Sequence, residues 1–338
     1  MRRLLWIIRD ILLITIYYSG LAALWAALWG RRSGILSYHN VLAAGEMSKG
    51  YAYRVDCTIE VFESQLAYLA RHYPILPARM IGREASEGWI LTFDDGMLNA
   101  FSTIAPILSR RNLTAVFAVC PGLIEGDIPH VWRDHIYLIL QQSVGRSLRL
   151  PMDQYGQPVA IGADNIDAIG AAIKDHVVSH RIADVYRLVR TLCECNALPY
   201  RRETVHPDRF SPMDWPMVRS LQAAGHVIAS HTWSHRILSL LPDDQKREEL
   251  ERSRAMLAAR LGQAPEVIVY PYGGPAEVDQ ETVTLAAECN YRVGLMNVSA
   301  RMAGTNTMTV PRFGLPPTPW RAHLFATLCG MKNAMKGM

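Results

Sequence analysis

Cysteine is scarce in this sequence and follows no metal-binding or redox pattern. The 338 residues include six cysteines, and none recurs at the spacing of a zinc knuckle or a thioredoxin-like pair. Nothing in the sequence therefore requires a disulfide framework or a cysteine-ligated metal. We interpret the cysteines as mostly free, partly buried thiols, which is typical of a reducing compartment.

Acidic residues are missing from the end of the chain. None follows Glu288, whereas six basic residues do, and residues 1–32 carry five arginines against one aspartate. The net charge of the whole chain is only +4, so its middle is acidic. A nucleic-acid-binding protein usually carries its basic excess on its body or on one reading element. A basic excess at both ends, beside the most apolar segments, indicates a membrane surface rather than nucleic acid.

Charge is also absent from Ile11 to Gly30, a stretch bracketed by arginines and long enough to cross a bilayer. Three interpretations of residues 1–32 stay open: a spanning anchor, an in-plane or re-entrant membrane helix, and a cleaved signal peptide. The second is favoured by Arg9 and Asp10, which interrupt the apolar pattern. We expect association with a bacterial-type inner membrane, and the flanking arginines leave the orientation undecided.

Short apolar runs alternate with helical patterns through the rest of the chain, without an internal repeat. The candidate strands are 34–39, 89–95, 114–119, 226–230, 266–273 and 291–296, and the candidate helices are 60–72, 99–110, 214–224, 244–261 and 278–288. This alternation predicts an α/β fold with a parallel sheet or a β/α barrel, whose functional groups gather at the strand C-termini. Residues 120–212 break the alternation, and we interpret them as an inserted cap within a domain of residues 33–317.

Two adjacent carboxylates end one of the candidate strands. Asp94 and Asp95, in WILTFDDGMLNAF, would repel each other where water is scarce, so we expect a cation nearby. His231 and His235, in ASHTWSHRIL, lie four residues apart, which places two imidazoles on one side of a helical turn. The pair alone is also typical of a surface or capping feature. Two histidines combined with a carboxylate are a recurrent ligand set for zinc and similar ions.

Two further strand ends carry candidate groups. VYPYGG at 269–274 is either an ordinary turn or a loop whose backbone N–H groups face a developing oxyanion. His39, in SYHNV, ends the first candidate strand and by itself is typical of a structural histidine.

TFDDG, SHTWSH and YPYGG, in that order and each at a strand end, together resemble the polysaccharide deacetylases, the NodB-homology family or carbohydrate esterase family four. MDWPMVRSLQAAGHVIASH is similar to the family's approach to its second motif. The early YHNV resembles a subgroup with a YHxV motif before the catalytic core. The resemblance covers residues 34–119 and 212–315 and implies a distorted (β/α) barrel of the NodB type.

The resemblance also implies roles for individual residues. Asp95, His231 and His235 would hold one divalent metal ion, expected to be zinc, with cobalt, nickel or manganese as alternatives. Asp94 would be the general base toward the metal-activated water. The general acid would be His39, as in the YHxV subgroup. His323 in WRAHLF is the alternative, because other members use a histidine of a C-terminal L-x-x-H motif.

The third motif implies the oxyanion and substrate contacts, which would come from Pro271, the Tyr272 backbone N–H and Gly273. The family usually has an arginine before this proline that orients the base, and this sequence has none there. Arg312, in VPRFG, is either its replacement from another strand end or an ordinary surface arginine.

The function implied is removal of N-acetyl groups from an amino sugar of a polysaccharide or a lipid-linked glycan. The basic tail, 318–338, has apolar residues at helical spacing and is either a core-packing helix or an interfacial helix that meets anionic lipid. Two alternatives remain for the whole protein. One is a non-catalytic carbohydrate-binding or assembly protein on the same scaffold, and the other is a deformylase or O-deacetylase with the same site.

Overall fold

The computed structural model of the chain is built around one parallel sheet. It describes residues 2–30, 32–46, 55–83, 87–152, 157–201, 203–204, 206–299 and 306–331. The seven strands of the sheet are β1 (Ser33–Tyr38), β4 (Gly88–Phe93), β5 (Val116–Val119), β8 (Val227–Ser230), β9 (Val267–Val269), β10 (Val293–Asn297) and β11 (Val310–Arg312), in that spatial order. A small parallel pair, β2 (Val41–Leu42) and β3 (Cys57–Thr58), lies beside them.

The sheet nearly closes into a barrel. All neighbouring strands are parallel, and Phe313, just after β11, bonds back to β1. Its carbonyl accepts from the Ser37 N–H at 3.1 Å, and its N–H donates to the Ile35 carbonyl at 3.2 Å. The fold is therefore the predicted distorted (β/α) barrel.

Helices cover the outside of the barrel. They are α3 (Ala44–Glu46), α4 (Ile59–His72), α5 (Ala105–Ser109), α11 (Trp215–Ala223), α12 (Asp243–Leu261) and α13 (Gln280–Glu288). Thr58, Asp214 and Asp279 cap three of them by accepting backbone N–H bonds at their N-termini. Gly262, with φ of 73°, ends α12 in the left-handed region, which glycine adopts without strain.

Two elements differ from the sequence prediction. The helix predicted from residue 99 begins with a π-helical turn, Ala100–Ile104, because Pro106 lacks the N–H that a regular helix needs there. The strand predicted to reach residue 273 ends at Val269, two residues before Pro271, which likewise has no N–H to donate to a sheet. Strand β11 was not predicted.

The segment predicted to be a cap forms a small helical layer with its own hydrophobic cluster. Its elements are α6 (Pro121–Ile124), α7 (Trp132–Gln142), the antiparallel pair β6 (Ser147–Leu148) and β7 (Val159–Ala160), α8 (Ile166–Ser179), α9 (Val185–Cys195) and α10 (Pro207–Phe210). A buried ion pair, Arg209–Asp134 at 3.0 Å, joins α10 to α7. The Trp132 ring lies 6.2 Å from the Tyr272 ring, so the layer reaches the end of β9.

The N-terminal segment folds as two helices, α1 (Arg2–Tyr18) and α2 (Leu21–Trp29), instead of one continuous apolar stretch. The chain turns between them at Gly20, whose φ is 85°. Across the described residues, no helix has both the length and the apolar character needed to cross a membrane. In the C-terminal tail, α14 (Arg321–Leu328) packs against α1, and residues 332–338 lie outside the described residues. All six cysteines are free, as predicted.

Candidate active site

The candidate residues gather at one end of the barrel because they follow parallel strands. Asp94 and Asp95 come directly after β4, His39 after β1 and His231 after β8, while Arg312 is the last residue of β11. The carboxyl ends of parallel strands meet at one face of a barrel, which brings these distant residues together.

Asp95, His231 and His235 form a compact set of ligand atoms. Asp95 Oδ1 lies 3.4 Å from His231 Nε2 and 3.1 Å from His235 Nε2, and each of the three residues is 1% exposed. Their ligand atoms all lie within 4.8 Å of one another. One carboxylate and two imidazoles at this separation fit a divalent ion such as zinc.

The tautomer of His231 also fits a metal ligand. Its Nδ1 lies 2.6 Å from the Val269 carbonyl oxygen, which can only accept a hydrogen bond. Nδ1 therefore carries a proton, and in the neutral ring the lone pair of Nε2 points toward Asp95. A backbone carbonyl in this position is the usual partner of a ligating histidine.

The turn that carries both histidines is held by residues that no sequence motif marks. Glu249 on α12 is buried and accepts hydrogen bonds from the Ser234 N–H at 2.8 Å and from the Ser234 hydroxyl. Thr232 Oγ1 accepts from the His235 N–H at 3.1 Å. These bonds fix the backbone that leads into His235.

Asp94 is 2% exposed and pairs with Arg312. The guanidinium donates to both carboxylate oxygens, at 2.7 and 2.6 Å, and also to Thr92 Oγ1 at 3.0 Å. Burial raises the pKa of Asp94, but the positive charge and the hydrogen bonds of Arg312 outweigh it and hold the pKa below its ordinary value. Arg312 is thus a buried residue in contact with Asp94 and not a surface arginine.

His39 lies between two carboxylates. Its Nε2 is 3.7 Å from Asp94 Oδ2 and its Nδ1 is 3.6 Å from Asp56 Oδ1. Asp56 Oδ2 also accepts the backbone N–H of His39, and that of Asn40 at 3.0 Å. Burial lowers the pKa of His39, but the negative charges of Asp56 and Asp94 raise it by more than burial lowers it. The net shift of the pKa is therefore upward. His323, by contrast, pairs with Asp10 of α1 at 3.3 Å.

Backbone strain is concentrated around the site. Of the eight non-glycine residues with positive φ in the described chain, four belong to the strand-end turns: Asp95 at 69°, Thr232 at 62°, His235 at 56° and Tyr272 at 63°. Such conformations cost on the order of 1–3 kcal/mol and persist where the surrounding structure holds them, most often at functional sites. The Tyr272 ring lies 5.1 Å from the His235 ring, which places the third motif beside the ligand set.

Gly273 follows with φ of 66°, and a Cβ there would lie 2.6 Å from the Asn297 backbone nitrogen. The turn therefore requires glycine at this position. Pro271 is buried at its start, and its carbonyl accepts the Gly273 N–H at 2.7 Å.

Comparison with known proteins agrees with this geometry. The family model described as polysaccharide deacetylase matches residues 82–294. A peptidoglycan-N-acetylglucosamine deacetylase of Bacillus cereus is 31% identical over 77 residues, which is 23% of this chain and 27% of that protein. The chain therefore matches about a quarter of the length of this curated relative.

Two solved structures share the fold over nearly their whole length. The Streptococcus pyogenes deacetylase PplD, in complex with acetate, has a TM-score of 0.54 and 18% identity, with 88% of this chain and 99% of that chain covered. IcaB from Ammonifex degensii has a TM-score of 0.53 and 18% identity, with 89% of this chain and 98% of that chain covered. At these identities the likeness establishes the shared fold.

Proposed function

The chain belongs to the polysaccharide deacetylase family, hydrolases that cleave amide bonds of acetylated sugars, and we propose that it removes N-acetyl groups from an amino sugar of a polysaccharide or lipid-linked glycan. The observation that carries the proposal is the convergence of Asp95, His231 and His235 beside Asp94, a buried carboxylate held ionised by its arginine partner. A metal-binding set next to a charged base is what hydrolysis of an unactivated amide requires.

The ligand set would hold one divalent ion, for which zinc is the first expectation, through Asp95, His231 and His235. When bound, this ion supplies a Lewis acid that polarises the acetyl carbonyl and acidifies water. Asp94 takes a proton from the attacking water, because its pKa lies below the ordinary value and it is ionised at neutral pH. Arg312 acts as a positioning residue that fixes both oxygens of the base.

The remaining steps use the groups around this base. The Tyr272 backbone N–H donates to the oxyanion that forms on the carbonyl oxygen. His39, whose pKa is raised, donates its proton to the sugar nitrogen, the C–N bond breaks, and acetate and a free amine leave. The 3.7 Å between His39 Nε2 and Asp94 Oδ2 is a short path for the proton to return from the aspartate to the histidine.

The test compares the full-length wild type with Asp94→Asn and Asp95→Asn. Bound metal is counted per chain by elemental analysis, and acetate release is measured from a panel of N-acetylated oligosaccharides. We expect about one ion in the wild type, loss of metal and activity in Asp95→Asn, and retained metal with turnover lowered by about 10²–10⁴-fold in Asp94→Asn. A folded wild type that binds no ion after zinc or cobalt is supplied would contradict the proposal.

The same panel separates the chemical alternatives. N-formylated and O-acetylated sugars are included because the site would attack either carbonyl by the same steps. Formate release that is faster than acetate release from the N-acetylated sugars would indicate a deformylase. Faster acetate release from the O-acetylated sugars would indicate an O-deacetylase. Sugar binding without any release, in a metal-loaded protein, would instead support a non-catalytic binding protein.

A further inference from the structure

Exposed apolar side chains are concentrated on the helix pair α1–α2. Among the described side chains, eight large apolar ones are exposed, and six of these lie between residues 11 and 28. A seventh, Trp320, precedes α14, which packs against α1. We call this set the N-terminal face; it consists of Ile11, Leu12, Tyr18, Leu21, Leu24, Leu28 and Trp320. Val144 is the one other large apolar side chain that is exposed in the described part of the chain.

The helix pair has an inner side that packs against the protein. Leu13 and Ala22 are each 3% exposed and belong to the main hydrophobic cluster. The Tyr17 ring lies 5.6 Å from the ring of Phe325 on α14, and Asp10 pairs with His323 on the same helix. The pair is therefore docked on the domain, and its position does not depend on a partner.

The outer side is apolar at helical spacing. Leu21, Leu24 and Leu28 of α2 are three and four residues apart, which places them on one face, and each is 57–58% exposed. Ile11 and Tyr18 of α1 lie seven residues apart and are 59% and 76% exposed. A concentration of exposed apolar side chains of this kind marks an interaction site.

We propose that the N-terminal face docks in the interfacial layer of an anionic lipid bilayer, with α1 and α2 lying along the membrane surface. The charge of the segment favours this partner, because residues 1–32 contain five arginines and a single acid, Asp10, which is already paired. Tyr18 and Trp320 are exposed aromatic residues with a polar atom, the type enriched at membrane–water interfaces. A second copy on a twofold axis would instead bring two arginine-rich segments into one interface.

The test is flotation of the full-length protein with lipid vesicles, of phosphatidylcholine alone or mixed with phosphatidylglycerol. The variant Leu21→Gln/Leu24→Gln/Leu28→Gln removes apolar side chains from the outer side, and Val144→Gln is the matched control. We expect the wild type to bind the mixed vesicles preferentially and less tightly as salt is added. The triple variant should partition at least about tenfold more weakly, because the apolar surface of the three leucines is no longer there to be buried in the lipid. Val144→Gln should bind like the wild type.

Three results would overturn the proposal. The first is unchanged flotation of the triple variant, once its circular dichroism and melting match the wild type. The second is equal, salt-independent binding to both vesicles. The third is a wild type that ignores vesicles but forms a dimer that the triple variant loses, because a second copy would then cover the face. Flotation needs no catalytic residue, so the result stands apart from that of the acetate-release assay.

Discussion

Replacing Arg312 with methionine should lower the free energy of unfolding by about 3–5 kcal/mol, because the change leaves Asp94 as a buried carboxylate without its partner. Arg312 is 1% exposed and donates to both oxygens of Asp94 at 2.7 and 2.6 Å. Each charge-assisted bond contributes about 1.5–3 kcal/mol, so two bonds give about 3–6 kcal/mol, which overlaps that range. Methionine keeps most of the apolar volume, so the cost comes from charge and not from a cavity.

The loss should depend on pH in a defined direction. In the wild type the pKa of Asp94 is lowered, so its ionisation stabilises the fold above the unfolded pKa of about 3.9 and this contribution fades as pH falls. In Arg312→Met the charge and the hydrogen bonds of Arg312 are gone, so burial dominates and raises the pKa of Asp94, and the variant loses stability as pH rises. The difference between the two proteins is therefore largest near neutral pH and shrinks toward pH 4.

Urea denaturation between pH 4 and 8, in a chelator so that bound metal contributes nothing, measures this difference. Arg312→Lys is the control, since it keeps the charge without the two-pronged geometry and should cost about half as much. A double-mutant cycle with Asp94→Asn isolates the pair. A coupling energy below about 0.5 kcal/mol, or a pH-independent loss, would refute the reasoning.

His39→Ala should keep its metal yet lower turnover by about 10²-fold or more, whereas His323→Ala should keep both its metal and its turnover; the reverse result would transfer the acid role to His323. Glu249→Gln should lower metal affinity by about 10–100-fold in a chelator competition, because a neutral amide holds Ser234 less firmly, and unchanged affinity would make Glu249 merely structural. Burial beside another histidine lowers the pKa of His135 to about 3, so stability should fall as pH drops below its unfolded value near 6.5. Between pH 7 and 5 the expected loss is about 2 kcal/mol in urea denaturation, and His135→Leu should abolish that part of the slope if the reasoning is correct.

The barrel was predictable because strands buried on both faces give continuous apolar runs. WILTF in β4 is such a run, and all six residues of the strand are buried. Strand β11 gave no comparable signal, since it has three residues, one of them Pro311. Its position is set by its pairing with β10 and by the bonds of Phe313 to β1, which arise only when the barrel closes.

Within the candidate site, the residue types that could hold a metal were visible in the sequence, and the residues that support them were not. Adjacent aspartates and a histidine pair are conspicuous because metal chemistry restricts which residues can serve. Asp56 and Glu249 act by accepting N–H and hydroxyl bonds, which any well-placed carboxylate can do, so no motif marks them. Gly20 similarly divides the apolar N-terminal stretch by its positive φ, a conformation that a hydropathy pattern does not reveal.

Thr232 shows what the site gains from a strained backbone. It is buried and β-branched with φ of 62°, a costly conformation, yet its Oγ1 accepts the His235 N–H. Thr232→Ala removes the hydroxyl and keeps most of the strain, while Thr232→Gly removes both. We expect the glycine variant to be more stable than the alanine variant by about 0.5–1 kcal/mol in urea denaturation, and both to bind metal more weakly than the wild type. A glycine variant less stable than the alanine variant, or one that binds metal like the wild type, would show that the strain at Thr232 does not serve to place His235.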